Sequence, residues 1–271
     1  QDEYRPTAWK CRDYVVRAFN SDKPYDQFIR EQIAGDEITP RSADALAATG
    51  FLRLGIYEYN QRDVRTQWSN IVDDVTNVTS DVFLGLGMGC ARCHNHKFDP
   101  ILQEDYFRLR SFFAGLKLVD EMPLADEAEW AEYCHKLSQW EKDTAEIRAE
   151  LESLEGPIRT ATARPHIDKF PPEIRVMMRK PEAERDPLEQ QLVELGWRQV
   201  TTEINKIEWE KKFKDEQLAR WKELNEQLKK FEAQKPKLPV AYAASEIGRS
   251  PPETMIPGDR QQKVIAPGFL T

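Results

Sequence analysis

Residues 68–115 read WSNIVDDVTNVTSDVFLGLGMGCARCHNHKFDPILQEDYFRLRSFFAG. Trp68, Ile71, Val75, Val78 and Val82 fall at alternating steps of three and four, which is one face of a helix. Asp99 is an N-cap residue and Pro100 suits a first helical position, so a second helix is expected to follow and to stop at Gly115. Between the two lies GLGMGCARCHNHKFDP, residues 85–100, with two of the four cysteines and two of the four histidines of the chain. The crowded segment is therefore expected at a helix end and the turn between two helices.

The surrounding sequence has the same helical character. Trp9, Tyr14, Val15 and Phe19 recur at near-helical spacing, and SDKPYDQFIREQIAG starts from Ser21 or Asp22 as cap and ends at Gly35. Residues 126–155 carry Trp130, Leu137, Trp140, Ile147, Leu151 and Leu154 in a near-heptad rhythm, interrupted at Gly156 and nearby prolines. The rhythm resumes over residues 183–233, with a slip of one residue near Gly196. The last 36 residues hold six prolines and three glycines, more breakers than a helix tolerates. The expected fold is all-α. Residues 1–120 form a short-helix bundle carrying the motif, residues 121–235 a long antiparallel, coiled-coil-like hairpin, and residues 236–271 an irregular, proline-rich linker leading into a companion domain.

Composition narrows the partners. Charged residues make up 32% of the 271 and the formal net charge is -8, with no isolated lysine/arginine block. Nucleic acid and anionic membrane surfaces are poor partners for such a chain. No apolar run reaches membrane-spanning length, and residues 1–20 are too polar and interrupted for a signal peptide. Four cysteines are too few for a disulfide-built fold.

Cys90-Ala-Arg-Cys93-His94 is a C-x-x-C-H sequence, the attachment pattern of c-type haem. Two thiols add to the porphyrin vinyl groups and fix the ring, and the adjacent imidazole reaches the iron as proximal axial ligand. Arg92 and Lys97 are candidates to pair with the propionates. Phe98, Tyr106, Phe107, Phe112 and Phe113 are candidate walls of the ring. His96 and Met88 are too close along the chain to reach its far side. Met122, His135, His166, Met177 and Met178 are remote candidates for that position, alongside an open one. Other readings of the motif stand beside this one. Cys90, Cys93, His94 and His96 are also a possible ligand set for zinc, and His94 and His96 for non-haem iron. A plain disulfide or two inert thiols is the bland reading. A thioredoxin-like pair lacks its βαβ context. Gly85, Gly87 and Gly89 lack the strand–turn–helix setting of a nucleotide loop. Cys134 has no second cysteine at ligand spacing and reads as structural.

Three stretches carry a family resemblance: RPTAWKCRDYVVRAFNSDKPYDQFIREQIAGDEI, ALAATGFLRLG and FLGLGMGCARCHNHKFDPILQEDYFRLRSFFAG. They resemble the planctomycete-type cytochrome c domain of large exported proteins, over roughly residues 3–118. The terminal PGDRQQKVIAPGFL resembles the start of the companion domain that follows it. Cys11 stands where an aromatic residue is expected and Asn77 where aspartate is common. The resemblance implies that the chain begins partway through the family domain. It also implies one covalent haem c on Cys90, Cys93 and His94, an exported (periplasmic) location, and electron transfer to a redox partner protein or to the companion domain. The leading expectation is a cytochrome module rather than a catalyst in its own right. The alternatives are an enzyme module with an open iron position or a metal held by His94, His96 and Asp99, and an interaction module in which the hairpin binds a partner.

Overall fold

Helix α1 (Trp9–Asn20) turns Cys11, Tyr14 and Ala18 inward. These lie at helical spacing, so one stripe of α1 is buried while Trp9, Val16 and Phe19 stay exposed. The computed structural model describes residues 5–55, 58, 61–248 and 250–270. Helix α2 (Tyr25–Ala34) packs beside α1 through stacked Tyr14 and Phe28, ring centroids 5.9 Å apart. Beneath them the Tyr14 hydroxyl donates to Glu31 Oε2 at 2.6 Å, and Lys23 pairs with the same carboxylate. Helix α3 (Ala43–Ala48) is capped by Ser42, whose hydroxyl accepts the Ala45 N–H, and its alanines let it sit in the interior.

Helix α4 (Val64–Thr79) begins at Asp63, whose carboxylate accepts the Thr66 N–H at 3.1 Å. Trp68, Ile71 and Val75 are buried as the sequence pattern requires, but Val78 and Val82 are exposed. Val82 falls in the π-helical turn Ser80–Leu84 that follows α4, where the number of residues per turn changes, whereas Val78 lies at the edge of the stripe near the end of α4. Gly85 ends it at φ 64°, a left-handed conformation that glycine adopts without a Cβ penalty. Helix α5 (Gln103–Ser111) starts three residues later than Pro100 suggests, and strand β1 (Leu116–Pro123) follows it.

The hairpin region is helical throughout but divided differently from its sequence rhythm. Helix α6 (Glu127–Asp143) is followed by α7 (Ala145–Ile167), which runs on through Gly156, Pro157 and Pro165. Interior prolines cost about 3 kcal/mol each in an isolated helix. Here α7 is held on two sides, by α9 (Pro187–Ile204) and α10 (Asp215–Phe231). Glu155 accepts from Trp221 Nε1 at 2.8 Å and pairs with Arg159, and Ala163 and Ile167 enter the core. Helix α8 (Pro172–Arg179) packs on α9 at Gly196, where a Cβ would stand 3.3 Å from Met178 Sδ. Helix α9 therefore continues through the glycine at which the apolar rhythm slips.

The chain is mostly helical, with ten α-helices among the described residues, but it is not all-α. Strand β2 (Val240–Glu246) pairs antiparallel with β1, placing Leu118 opposite Ala244 and Leu116 opposite Glu246. A second pair, β3 (Thr254–Met255) with β4 (Val264–Ile265), forms farther on. The alanine-rich AYAA of β2 has little intrinsic strand preference. Its alanines and Tyr242 are buried against β1 and the turn at residues 49–53. Thr49 Oγ1 accepts the Ala244 N–H at 3.0 Å. One hydrophobic core draws Trp68 and Val72 from α4, Tyr106 from α5, Leu116 and Leu118 from β1, Ile167 from α7, Ile174 from α8, Leu192 and Val200 from α9, and Ala244 from β2.

Candidate functional site

The motif occupies a 3₁₀ turn, Met88–Arg92, set between the glycine end of α4 and the start of α5. In a 3₁₀ turn, side chains at i and i+3 eclipse. Met88 and Ala91 form the inner edge and are buried in the main core. Cys90 and Cys93 form the outer edge, both exposed and both free thiols, with the Cys93 N–H donating to the Cys90 carbonyl at 3.3 Å. The spacing C-x-x-C thus places two thiols side by side at the surface, anchored by the apolar residues between and before them.

His94 is exposed, and its Nδ1 lies 2.8 Å from the Asn95 carbonyl oxygen. A carbonyl only accepts, so this contact places the proton on Nδ1 and leaves the Nε2 lone pair free. That is the tautomer a metal-ligating imidazole needs. His96 has the opposite arrangement. Its Nδ1 accepts the Asp99 N–H at 2.9 Å, and the His96 backbone N–H donates to the Ile101 carbonyl at 2.8 Å. The same Nδ1 is 3.1 Å from Asp99 Oδ2, so both the backbone and the side chain of Asp99 face this nitrogen. Accepting the Asp99 N–H occupies the Nδ1 lone pair, so His96 serves the loop. This also explains why α5 does not begin at Pro100: Asp99 folds back on His96 instead of capping a helix.

Asn95 performs the cap that Asp99 does not. Its Oδ1 accepts the Gln103 N–H at 2.9 Å, and Gln103 Nε2 donates to the Arg92 carbonyl at 3.0 Å. Asp105 adds to this by accepting the Leu102 N–H at 2.9 Å. The first turn of α5 is therefore locked to the motif by side chains on both.

Arg92 turns toward α4. Its guanidinium is pushed above its ordinary pKa, first by hydrogen bonding to the Cys93 sulfur and further by the charge of Asp73, whose Oδ2 is 3.4 Å away. Asp73 is 8% exposed and also accepts from Arg110 Nε at 2.8 Å, with the Tyr106 hydroxyl at 3.4 Å. Burial and this neighbouring carboxylate push the Tyr106 phenol well above its usual value. Asp73 and Arg110 are site residues that the sequence pattern did not single out, and Tyr106, expected only as a ring wall, meets Asp73 through its hydroxyl. The available signal was a carboxylate beside the buried face of α4, which must find a cation to be tolerated there. Lys97 lies over the Phe98 ring, 5.0 Å from its centroid, and Phe98 is 83% exposed. Of the candidate ring-wall residues, Tyr106, Phe107 and Phe113 are buried in the core, whereas Phe98 and Phe112 face outward.

Among the described residues, no group of three or more His, Cys, Asp or Glu is arranged to hold a metal ion by itself. Met88 and Met178 are core residues, and Met122 packs with Leu46 and Ala243 in a separate cluster. His135 lies exposed on α6, and His166 and Met177 are half-buried on α7 and α8. Cys11 is buried and its thiol is pushed up to about 11 by that burial, so it is inert at neutral pH. Cys134 is exposed on α6, away from the motif in the chain.

A family model described as PSCyt2, protein of unknown function (DUF1549), matches residues 1–117. The matched span covers α1 to α5 and the whole C-x-x-C-H turn. It stops at the beginning of β1, so the hairpin helices and β2 lie outside it. No curated protein and no solved structure matches the chain. No helix among the described residues is long and apolar enough to cross a membrane.

Proposed function

We propose that the motif is the attachment site of one c-type haem, and that the chain is an electron-transfer module of an exported protein. The observation that carries this reading is the combination of two free, exposed thiols on one edge of a turn with an adjacent imidazole whose Nε2 is unengaged. Cys90 and Cys93 would tether the haem, and His94 would ligate its iron. Nδ1–H donation to the Asn95 carbonyl fixes the orientation of the His94 ring. Arg92 lies beside Cys93 and hydrogen-bonds its sulfur. Bound haem supplies one-electron redox chemistry. The motif lies at the surface, which suits electron exchange with a partner protein or a neighbouring domain. The PSCyt2 match supports the same reading by its label, and an exported location follows from where haem c is attached.

The test is expression in a host able to mature cytochromes c. The expected product has a pyridine haemochrome spectrum and an intact mass raised by one haem. Replacing both Cys90 and Cys93 by alanine should abolish the mass increase. Colourless protein with stoichiometric zinc, or with an intact Cys90–Cys93 disulfide under those conditions, would overturn the proposal.

A further inference from the structure

A second feature lies away from the motif. A cavity of about 420 Å³ opens between α2, the π-helical turn after α4, α5 and β2. Its wall is apolar, formed largely by Ile33, Leu52, Phe83, Leu109, Phe112 and Phe113. Neither the thiols nor His94 line it. The volume falls within the roughly 300–1,000 Å³ of small-molecule sites.

Three carboxylates also line the cavity, Asp36, Glu37 and Glu246, and no Lys, Arg or His does. Among the described residues none of the three has an ion-pair partner, although most acidic groups on α7, α9 and α10 do. Glu246, though exposed to solvent on one side, is held above the usual carboxylate range by partial desolvation, and then by the like charges of Glu37 and Asp36. Uncompensated like charges beside an apolar wall are costly, and a cation placed among them would relieve that cost. The three do not form a metal-holding group. A second, independent observation points to a ligand. Thr79 lines the same cavity, is 4% exposed, and its Oγ1 has no hydrogen-bond partner. Buried hydroxyls are normally paired, and leaving one unpaired costs about 1–3 kcal/mol.

We propose that this cavity binds a small amphipathic ammonium compound, its apolar body among Phe83, Phe112 and Phe113 and its charged head at Asp36, Glu37 and Glu246. A polar atom on the body would satisfy Thr79. The inference does not depend on haem.

Isothermal titration of the full chain with three matched probes tests it: 4-phenylbutylamine, 4-phenylbutanol and 4-phenylbutyrate. The amine should bind about tenfold tighter than the alcohol, about 1.4 kcal/mol, and the carboxylate weakest of the three. Glu246→Gln, at an exposed position, should weaken the amine about fivefold, on the scale of one partly solvated charge contact, and leave the alcohol unchanged. Phe112→Ala, also exposed, should weaken amine and alcohol alike. Circular dichroism melts of both variants should match the parent. Equal affinities for amine and alcohol, no binding of any probe at millimolar concentration, or an unchanged amine affinity in Glu246→Gln would each overturn the proposal.

Discussion

Two histidines separated by one residue are chemically alike in the sequence and different in the fold. His94 gives its Nδ1 proton to a carbonyl and keeps a free Nε2, whereas His96 spends its Nδ1 lone pair on the Asp99 N–H. The expected outcome of substitution follows from that difference. In haem-loaded protein, His94→Ala should retain the thioether-bound mass and lose the ligand-dependent visible spectrum. His96→Ala should leave the spectrum unchanged and destabilise the fold by about 1 kcal/mol, the worth of one lost hydrogen bond. Visible spectra and urea midpoints of the two variants separate the roles; a spectral change on His96→Ala would remove the distinction. The C-x-x-C-H pattern itself was legible as residue spacing, because the chemistry is local. The direction of Arg92 was not, since its partner Asp73 is nineteen residues away on α4.

At the scale of elements, the start of α5 shows why a local signal can mislead. Asp99-Pro100 has the composition of a helix start, but Asp99 is bound to His96, and the vacant cap role passes to Asn95, eight residues before Gln103. Such a cap is invisible to a scan of adjacent residues. Asn95→Ala should therefore cost about 1 kcal/mol, the usual worth of a cap. Asn95→Asp, which keeps the acceptor and adds charge at a helix N-terminus, should be neutral or stabilising. Urea unfolding of both variants checks this, and equal stability for alanine and asparagine would show that the contact carries no weight. The packing of α1 on α2 makes a different demand, on pH. Burial alone would raise Glu31, but hydrogen bonds from Lys23, Tyr14 and Gln27 outweigh it and hold the carboxylate below its ordinary value. The ionised form is thus favoured by folding. Its contribution is complete above the unfolded value, about 4.3, and is lost as pH falls through and below that point. Glu31→Gln should lower stability at pH 7 by about 1–3 kcal/mol and flatten the acid limb. Denaturation series at pH 7, 5, 4 and 3 measure the difference, and parallel curves for the two proteins would exclude Glu31 as the source.

For the whole molecule, the question is whether the motif-bearing half stands alone. Composition divides the chain near residues 120 and 235, and the PSCyt2 match ends at 117. Packing ignores both boundaries. Leu192, Val193 and Leu195 of α9 are buried in the same core as Trp68 and Tyr106, and Gln191 donates to the carbonyls of Ala114 and Leu116 at 2.8 and 2.9 Å. Strand β1 has its backbone paired by β2, from the far end of the chain, and Thr49 ties β2 to the α3 end through the Ala244 backbone. Helical periodicity made the helices legible because it is a property of neighbours three and four apart. The pairing of residues 116–123 with 240–246 was not legible, because alanine-rich β2 becomes a strand only against β1. A chain ending at residue 235 should leave β1 an unpaired edge with Leu116 and Leu118 uncovered, and should aggregate or unfold with a broadened transition. A chain ending at residue 120 loses α9 as well, and with it several side chains worth about 1.5–3 kcal/mol each. That is comparable with a typical margin of about 5–15 kcal/mol even before the loss of β2 is counted. It should therefore yield little folded protein, whereas the pair of fragments 1–120 and 121–271 mixed together should recover helical signal. Circular dichroism and limited proteolysis of the three samples decide the matter. A cooperative, protease-resistant 1–120 fragment would show that the motif-bearing helices carry their own core and that the shared one is dispensable.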